Sequence, residues 1–285
     1  MSHGLRRERT GGTSYLTGGE GPTLVFLHGI PGSALTWAPV AGRLADAYHV
    51  VVPDLRGFGQ SEPADDYYLE GQAQAVRDLL DTLDIDSFSL VTHDFGGPVG
   101  LTMLRLFPDL EMRGLVVSDT NLFTDTYVPP PLRVAGVPVL GRLVFTAMVG
   151  NRLGLRLLHR AATKRRDTVP WSAFQRHLTP SGITTTRRIF QRSLADLEGN
   201  YGPIERSLPE VAVPTLVLWG DSDPFFGVDV GERTAAALDG MLTVYERTGH
   251  FVPEERPAAV AAAIREFCEQ AAADGYQGSS FSPST

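Results

Sequence analysis

The stretch Leu90-Val91-Thr92-His93-Asp94-Phe95-Gly96-Gly97-Pro98-Val99-Gly100 decides how this chain folds. An apolar run of β-forming residues over 88–91 is broken by the acidic Asp94, and two glycines then let the chain reverse tightly. Apolar residues recur at helical spacing after the turn. The stretch therefore predicts a strand, a sharp turn and a helix, with Asp94 at the apex of the turn.

Asp94 has two interpretations at this position. A carboxylate at such an apex is already ionised at neutral pH and can attack an sp3 carbon to form an ester. An aspartate at the end of a strand is also a common cap for the helix that follows it. The stretch alone leaves both open, and the other polar residues of the chain decide between them.

The composition limits the class of protein. The chain has 285 residues, 42% of them hydrophobic, which is enough for one sizeable core with a modest inserted subdomain. Its formal net charge of -8 disfavours a nucleic-acid partner, because such a partner requires a concentrated basic face. Cys268 is the only cysteine, which excludes an internal disulfide and a cysteine-rich metal site.

The termini and apolar runs predict a cytoplasmic protein without a membrane partner. The first ten residues are charged, and the apolar segment of a secretory signal does not follow them. No stretch approaches 18 consecutive apolar residues. Lys164 is the only lysine while arginine is abundant, a bias typical of a GC-rich bacterial genome.

Apolar runs and helical spacing alternate along the first 120 residues, which predicts a parallel sheet with helices on both faces. Over 121–206 no buried-strand run occurs, and the segment shows helical patches at 144–158 and 183–197. Strand runs then return. The predicted strands are 23–28, 49–53, 88–91, 114–118, 214–220 and 242–245. The predicted organisation is an α/β core over 1–120 and 207–270, a helical lid inserted over 121–206, a closing helix over 257–268 and a disordered tail over 271–285.

Three polar residues follow predicted strands in the order Asp94, Asp223 and His250. Open α/β sheets place their ligand sites at these carboxyl ends of strands. Over 20–268 the chain resembles the α/β-hydrolase superfamily, whose order is nucleophile, acid and histidine. Asp223 is preferred to Asp221 because it resembles the acid of that family's Gly-x-x-Asp-Pro turn.

Two motifs resemble one branch of that superfamily, the epoxide hydrolases and haloalkane dehalogenases. His28-Gly29-Ile30-Pro31 matches the branch's His-Gly-x-Pro loop. His93-Asp94-Phe95-Gly96-Gly97 matches its His-Asp-Trp-Gly-Gly elbow, with Phe95 in place of tryptophan. This resemblance implies an α/β-hydrolase fold and a hydrolysis that needs no cofactor.

The resemblance also implies a covalent, two-step reaction. Asp94 would attack a substrate carbon and become an ester, and His250, held by Asp223, would then activate a water that hydrolyses the ester. The backbone N–H groups of Ile30 and Phe95 would stabilise the oxyanion that forms on Asp94.

The group that stabilises the leaving atom separates members of this branch. Haloalkane dehalogenases hold the halide with a tryptophan after the nucleophile and a second tryptophan or a loop asparagine, where this chain has Phe95 and Ile30. Fluoroacetate dehalogenases place arginines after the nucleophile, where this chain has Phe95 and Pro98.

Epoxide hydrolases donate a proton to the epoxide oxygen from lid tyrosines, and Tyr201 is the candidate here. The alternative is that Tyr201 packs in the lid with its hydroxyl bonded locally. The earlier lid tyrosine has no match, and the residues considered in its place are Tyr127, His159 and His177.

We therefore predict an epoxide hydrolase that converts an apolar epoxide to a vicinal diol, with that substrate and water as its partners and a homodimer left open. The alternatives are a haloalkane dehalogenase, a cyclase or isomerase that uses Asp94 as acid or base, and a ligand-binding protein that has lost turnover. The residues predicted to line the substrate pocket are His28, Trp37, His93, Trp171, Phe225 and Phe251.

Overall fold

The structure is a computed structural model that describes residues 4–126, 145 and 151–273. Its centre is an eight-stranded sheet with strand order β1-β2-β4-β3-β5-β6-β7-β8. Strands β3 to β8 are parallel to one another, and β1 and β2 add antiparallel pairs at one edge. The predicted α/β fold with a mostly parallel sheet is confirmed. The strands are β1 Arg6–Thr10, β2 Thr13–Gly18, β3 Thr23–Leu27, β4 His49–Pro53, β5 Ser87–His93, β6 Glu111–Ser118, β7 Thr215–Gly220 and β8 Met241–Tyr245.

Strands β1 and β2 were absent from the sequence-based expectation. The sequence of β1 is Arg-Arg-Glu-Arg-Thr, and its residues are exposed or half-buried because it forms the sheet edge. Such a strand carries no apolar run, and a charged edge also protects a sheet from further pairing. The apolar pattern therefore predicted the parallel strands and missed the antiparallel edge.

Helices cover both faces of the sheet, as predicted for a parallel sheet. Along β3, Val25 and Leu27 belong to one hydrophobic cluster, whereas Leu24 and Phe26 belong to the other. This alternation means that the strand is buried on both sides. The helices are α1 Ala38–Leu44, α2 Leu69–Thr82, α3 Gly96–Leu106, α4 Arg152–Ala162, α5 Trp171–Phe174, α6 Pro180–Ala195, α7 Leu197–Ser207, α8 Val228–Ala237, α9 Val252–Glu255 and α10 Pro257–Ala273.

Helices α4 to α7 lie between β6 and β7, within the segment predicted as an insertion. The predicted helical patch over 144–158 lies partly outside the described residues; of its described part, residue 145 is helical and 152–158 fall in α4. The closing helix was predicted to end at Cys268, but α10 continues to Ala273, so 271–273 are helical and the predicted tail begins later. Alanines supply this extension, because alanine has the highest helix propensity. The rest of the predicted tail, 274–285, lies outside the described residues. No helix among the described residues is long and apolar enough to cross a membrane.

Candidate active site

Asp94 occupies the sharp turn between β5 and α3. Its φ angle is 49°, in the left-handed region that side chains rarely adopt. Main-chain hydrogen bonds hold it there: its N–H donates to the carbonyl of Ser118 at 3.1 Å, and its carbonyl accepts from the N–H of Gly97 at 2.9 Å. The hydroxyl of Thr120 donates to the same carbonyl at 2.6 Å. The turn is therefore fixed from both neighbouring elements.

Glycine is required on both sides of Asp94. A Cβ atom on Gly29 would lie 2.3 Å from the Cβ of Asp94, and a Cβ on Gly96 would lie 2.4 Å from the carbonyl oxygen of Leu27. Both distances are shorter than any normal contact. The two glycine motifs thus allow the loop after β3 and the start of α3 to close around the carboxylate.

The structure brings the three predicted catalytic side chains together. Nδ1 of His250 donates to Oδ2 of Asp223 at 2.9 Å, and Nε2 of His250 lies 3.7 Å from Oδ2 of Asp94. Asp223 is fully buried, and its other oxygen accepts from the N–H groups of Phe225 at 2.7 Å and Phe226 at 3.3 Å. The carboxylate of Asp223 therefore fixes the tautomer and the orientation of the imidazole.

Asp221 has a different environment, in agreement with the preference for Asp223. It accepts from the N–H groups of Arg247 and Thr248, and it lies at the exposed surface. These two hydrogen bonds hold the backbone turn that precedes His250.

The predicted oxyanion donors contact the carboxylate of Asp94. The N–H of Ile30 donates to Oδ1 at 2.6 Å, and the N–H of Phe95 is a second backbone donor. Oδ1 of Asp94 thus faces the N–H of Ile30, while Oδ2 faces His250. Burial raises the pKa of Asp94, and the charge of His250 and these two N–H groups limit the rise.

Three carboxylates surround His250. Burial by itself lowers the pKa of the imidazole, but Asp223, Asp94 and Asp119 outweigh it and raise the pKa of His250 from 6.5 to about 9. At neutral pH the imidazole is therefore protonated beside the carboxylate of Asp94. When Asp94 becomes a neutral ester, one of these negative charges is lost and the pKa of His250 falls, which favours its action as a base.

The raised pKa of His250 predicts how stability depends on pH. Its folded-state value of about 9 lies above the unfolded value of 6.5, so its contribution is complete below pH 6.5 and is lost as the pH rises through 9. The side chain is buried, and the shift corresponds to roughly 3 kcal/mol. We expect the free energy of unfolding, measured with urea, to fall by about that amount across this window, and to fall much less in His250→Gln. Equal slopes in the two proteins would show that the carboxylates do not hold a charged imidazole.

Asp119 is a carboxylate of this site that the sequence analysis missed. It directly follows β6 and is fully buried, and its oxygens accept from the N–H of Gly220 at 2.9 Å and the hydroxyl of Ser118 at 2.7 Å. Burial, reinforced by the charge of Asp223, raises the pKa of Asp119 well above its ordinary value. An acidic residue at the end of a buried strand was the signal that identified Asp94, and it was present here also.

Aromatic rings enclose His250. Phe225 and Phe251 both contact the imidazole edge to face, with ring centroids 5.0 and 5.2 Å away. Trp171 lies farther out, in a cluster that includes Phe174 and Phe251. These three predicted pocket residues therefore lie on the His250 side of Asp94.

His93 supports His250 rather than lining a cleft. It is buried, its ring centroid lies 4.9 Å from that of His250, and its Nε2 donates to the carbonyl of His250 at 2.8 Å. Burial lowers the pKa of His93 well below its ordinary value, so the ring is neutral.

The structure contradicts the pocket assignment of His28 and Trp37. Nε2 of His28 accepts from the N–H of Leu55 at 3.0 Å and its Nδ1 donates to the carbonyl of Gly29 at 2.8 Å, and burial lowers the pKa of His28 to about 4. The indole N–H of Trp37 donates to the carbonyl of Leu27 at 3.0 Å. Both side chains are fully buried in the core, where these bonds satisfy their polar atoms.

The insertion holds the His250 loop through main-chain bonds. The carbonyl of Ala162, at the end of α4, accepts from the N–H of His250 at 2.8 Å. The buried carboxylate of Glu255 accepts from the N–H groups of Gly249, Lys164 and Arg165. The position of His250 thus depends on α4 as well as on β8.

Both histidines considered as a second proton donor have hydrogen-bond partners away from Asp94. Nε2 of His159 donates to the carbonyl of Val169 at 2.8 Å. His177 lies between the hydroxyl of Ser33 at 3.0 Å and the carboxylate of Glu254 at 3.3 Å, so both of its nitrogens have partners. Tyr127 lies outside the described residues.

Tyr201 lies on α7 and is buried close to Asp94. Burial, with a smaller effect of the Asp94 charge, raises the pKa of Tyr201 to about 12, so the phenol is protonated at neutral pH. Its hydroxyl has hydrogen-bond partners in Ser193 and Tyr68. The sequence analysis did not predict Tyr68. A tyrosine before α2 carries no sequence signal that it lies near Asp94, which follows the carboxyl end of β5.

A carboxylate at a strand-to-helix turn, opposite a histidine and a buried acid from later strands, defines a site of the α/β-hydrolase class. A family model described as the alpha/beta hydrolase fold matches residues 22–257. The chain therefore belongs to the alpha/beta hydrolase family and is a hydrolase of that fold.

Individual relatives are distant. An uncharacterised Mycobacterium tuberculosis protein is 29% identical over 287 residues, which cover 94% of this chain and 79% of that protein. Human epoxide hydrolase 4 is 24% identical over 279 residues, which cover 90% of this chain and 75% of that protein. The crystal structure of a loop variant of haloalkane dehalogenase DbeA from Bradyrhizobium elkanii superposes with a TM-score of 0.77 at 20% identity, covering 96% of this chain and 98% of that one. At this identity the structural likeness shows the fold alone.

Proposed function

We propose that this protein hydrolyses an apolar epoxide to a vicinal diol through a covalent ester on Asp94. The observation that carries the proposal is the placement of three groups around one carboxylate. The Asp94 carboxylate faces His250, accepts from two backbone N–H groups, and lies within electrostatic range of the buried phenol of Tyr201. The relatives include both an epoxide hydrolase and a haloalkane dehalogenase. The choice between the two substrates is therefore argued from the geometry of the site.

The first step needs a nucleophile and an acid. Oδ2 of Asp94 attacks an epoxide carbon as the carbon–oxygen bond on the far side breaks, while Oδ1 keeps its bond to the N–H of Ile30. The oxygen that leaves is basic and takes the proton of Tyr201. The product of this step is a hydroxyalkyl ester of Asp94.

The second step needs a base. When Asp94 becomes neutral the pKa of His250 falls and the imidazole releases its proton to solvent. It then takes a proton from a water that attacks the ester carbonyl carbon, and it is reprotonated from solvent when the carboxylate is restored. The N–H groups of Ile30 and Phe95 stabilise the oxyanion, and each such donor is typically worth roughly 3 kcal/mol. Collapse of the intermediate releases the diol and regenerates the carboxylate.

The leaving-group environment favours an epoxide over a haloalkane. Phe95 and Ile30 supply only backbone donors, both of which already contact Asp94. One observation supports a haloalkane as the second candidate: the indole N–H of Trp171 is buried and has no acceptor among the described residues. That indole belongs to the aromatic cluster beside His250, and its N–H is the kind of donor that a halide requires.

The test is a panel of aryl and alkyl epoxides and haloalkanes incubated with the enzyme in 18O-labelled water. We expect diol from at least one epoxide. Water attacks the ester carbonyl, so the first turnover should place an unlabelled Asp94 oxygen in the diol, and later turnovers a labelled one. Stoichiometric halide release without diol would assign the dehalogenase. A product that contains no solvent oxygen in any turnover would identify the protein as a cyclase or isomerase. Tight binding without turnover would identify it as a ligand-binding protein.

A further inference from the structure

Three hydroxyl groups meet between the core and the insertion. Tyr68 immediately precedes α2, Ser193 lies on α6 and Tyr201 on α7. The hydroxyl oxygens of Tyr68 and Ser193 are 2.7 Å apart, and both are hydrogen-bond partners of the Tyr201 hydroxyl. All three side chains are buried, with exposed fractions of 1%, 8% and 8%.

Tyr68 is fixed next to the Asp94 turn. Its ring packs against Phe95, the residue after Asp94, with centroids 6.0 Å apart. The guanidinium of Arg192 covers the ring at 4.4 Å from its centroid. Tyr68 therefore links the element that holds Asp94 to the two helices that hold Ser193 and Tyr201.

We propose that Tyr68, together with Ser193, positions Tyr201 and stabilises the phenolate left when Tyr201 gives its proton to the epoxide oxygen. This inference rests on the proposed function and assigns Tyr68 as a positioning residue, since it acts through Tyr201. Tyr68 precedes α2 in the core, outside the insertion that carries Ser193 and Tyr201.

The movement of protons during the reaction explains the role of Tyr68 and Ser193. As the Asp94–carbon bond forms and the carbon–oxygen bond breaks, the Tyr201 proton moves to the new hydroxyl, and the charge moves to the Tyr201 oxygen. A buried phenolate without donors would be costly. The hydroxyl of Tyr68 can donate to it while accepting from the hydroxyl of Ser193 at 2.7 Å. During ester hydrolysis, one proton of the attacking water ends on the second diol oxygen and the other restores Tyr201.

Tyr68 is suited to remain the donor. Burial raises the pKa of the Tyr68 phenol far above its ordinary value, so Tyr68 keeps its proton at neutral pH. Its ring is held between Phe95 and Arg192, which fixes the position of the hydroxyl.

The test measures ester formation and ester hydrolysis separately. In a His250→Ala background the ester accumulates, so its rate of formation from an epoxide can be read by quenched-flow and intact mass. We expect Tyr68→Phe to slow ester formation by about 10- to 100-fold, the effect of one hydrogen bond to a charged group. In a protein that retains His250, Tyr68→Phe should leave the rate of ester hydrolysis within about twofold of the wild-type rate.

Three further single variants and one double variant keep the outcome interpretable. Tyr67→Phe is the matched control, because Tyr67 is the adjacent tyrosine and its ring faces Arg188 instead; its rates should be unchanged. Ser193→Ala should slow ester formation less than Tyr68→Phe, and the double variant should show less than the product of the two effects. Tyr201→Phe should slow the same step at least as much as Tyr68→Phe.

Each outcome separates this inference from the proposed function. If Tyr201→Phe slows ester formation while Tyr68→Phe leaves it unchanged in a folded protein, the inference is wrong and the epoxide hydrolase stands. If Tyr68→Phe slows ester formation and ester hydrolysis equally, its role is structural and the inference is also wrong. If the wild type opens no epoxide, the proposed function fails and the inference fails with it.

Discussion

Replacement of Asp94 by asparagine is expected to lower kcat for an epoxide by at least about 10^4-fold. An amide is a poor nucleophile, and no other carboxylate of the described site can take its place, because Asp223 and Asp119 both accept backbone N–H groups in the protein interior. The turn itself should persist, since asparagine is among the residues that tolerate the left-handed φ of 49° found here. The amide oxygen can still accept from the N–H of Ile30.

The measurement is steady-state turnover with the best epoxide of the panel, with the intact mass of the variant taken to detect deamidation back to aspartate. Asp84→Asn is a matched control: Asp84 also has a left-handed φ, of 53°, and lies exposed at the end of α2. That variant should retain full activity. Activity in Asp94→Asn that survives without deamidation would mean that Asp94 only caps α3, which is the other interpretation of its position.

The sequence could predict Asp94, Asp223 and His250 because each follows a strand with an apolar run. The carboxyl ends of parallel strands meet at one edge of a sheet, so strand recognition was sufficient to bring the three side chains together. The backbone donors at Ile30 and Phe95 followed from motifs next to the same strands. Local pattern and sheet direction predicted which strand ends meet, whereas the two backbone donors and the choice of Asp223 over Asp221 came from the resemblance of the motifs to a known family.

Tyr68 could not be predicted in the same way. Its contact with Ser193 joins residues 125 positions apart in the chain, and it depends on how α6 and α7 pack over α2. No periodicity determines that packing. His28 and Trp37 failed for a related reason, because proximity to a catalytic loop in sequence does not determine whether a side chain points into the cleft or into the core.

The hydrogen bonds around His250 show why the insertion matters for the chemistry. The loop that carries His250 is tied to the insertion through Ala162 and Glu255, while Tyr201 comes from the insertion itself. The base and the acid of the proposed reaction therefore both depend on the same inserted helices. A change in that segment can alter both steps without touching the sheet.

Replacement of His250 by alanine is expected to leave ester formation intact and to slow ester hydrolysis by about 10^4-fold or more, so that the ester persists. The loop should keep its place without the imidazole, because the N–H of residue 250 donates to Ala162 and its carbonyl accepts from His93. The carboxylate of Asp94 keeps its two backbone donors, so the attacking group is still held.

The measurement is intact mass after incubation with the panel, followed by peptide mapping. An increase equal to the whole epoxide, located on Asp94, would establish both the residue that attacks and the class of substrate. The double variant Asp94→Asn, His250→Ala is the control and should acquire no adduct. His49→Ala should behave as the wild type, because His49 lies on β4 and contacts only Thr17 and Thr23 through its ring nitrogens.

The mass of the adduct distinguishes the two candidate substrates in a single experiment. Both reactions form an ester on the same carboxylate, but ring opening keeps the leaving oxygen on the alkyl group, whereas dehalogenation expels the halide. An adduct lacking the halogen, formed from a haloalkane alone, would therefore assign the halide to the site, with the Trp171 indole as the donor to examine next. A folded His250→Ala protein that forms no adduct with any member of the panel, while the wild type converts an epoxide, would exclude the ester and leave Asp94 as an acid or base.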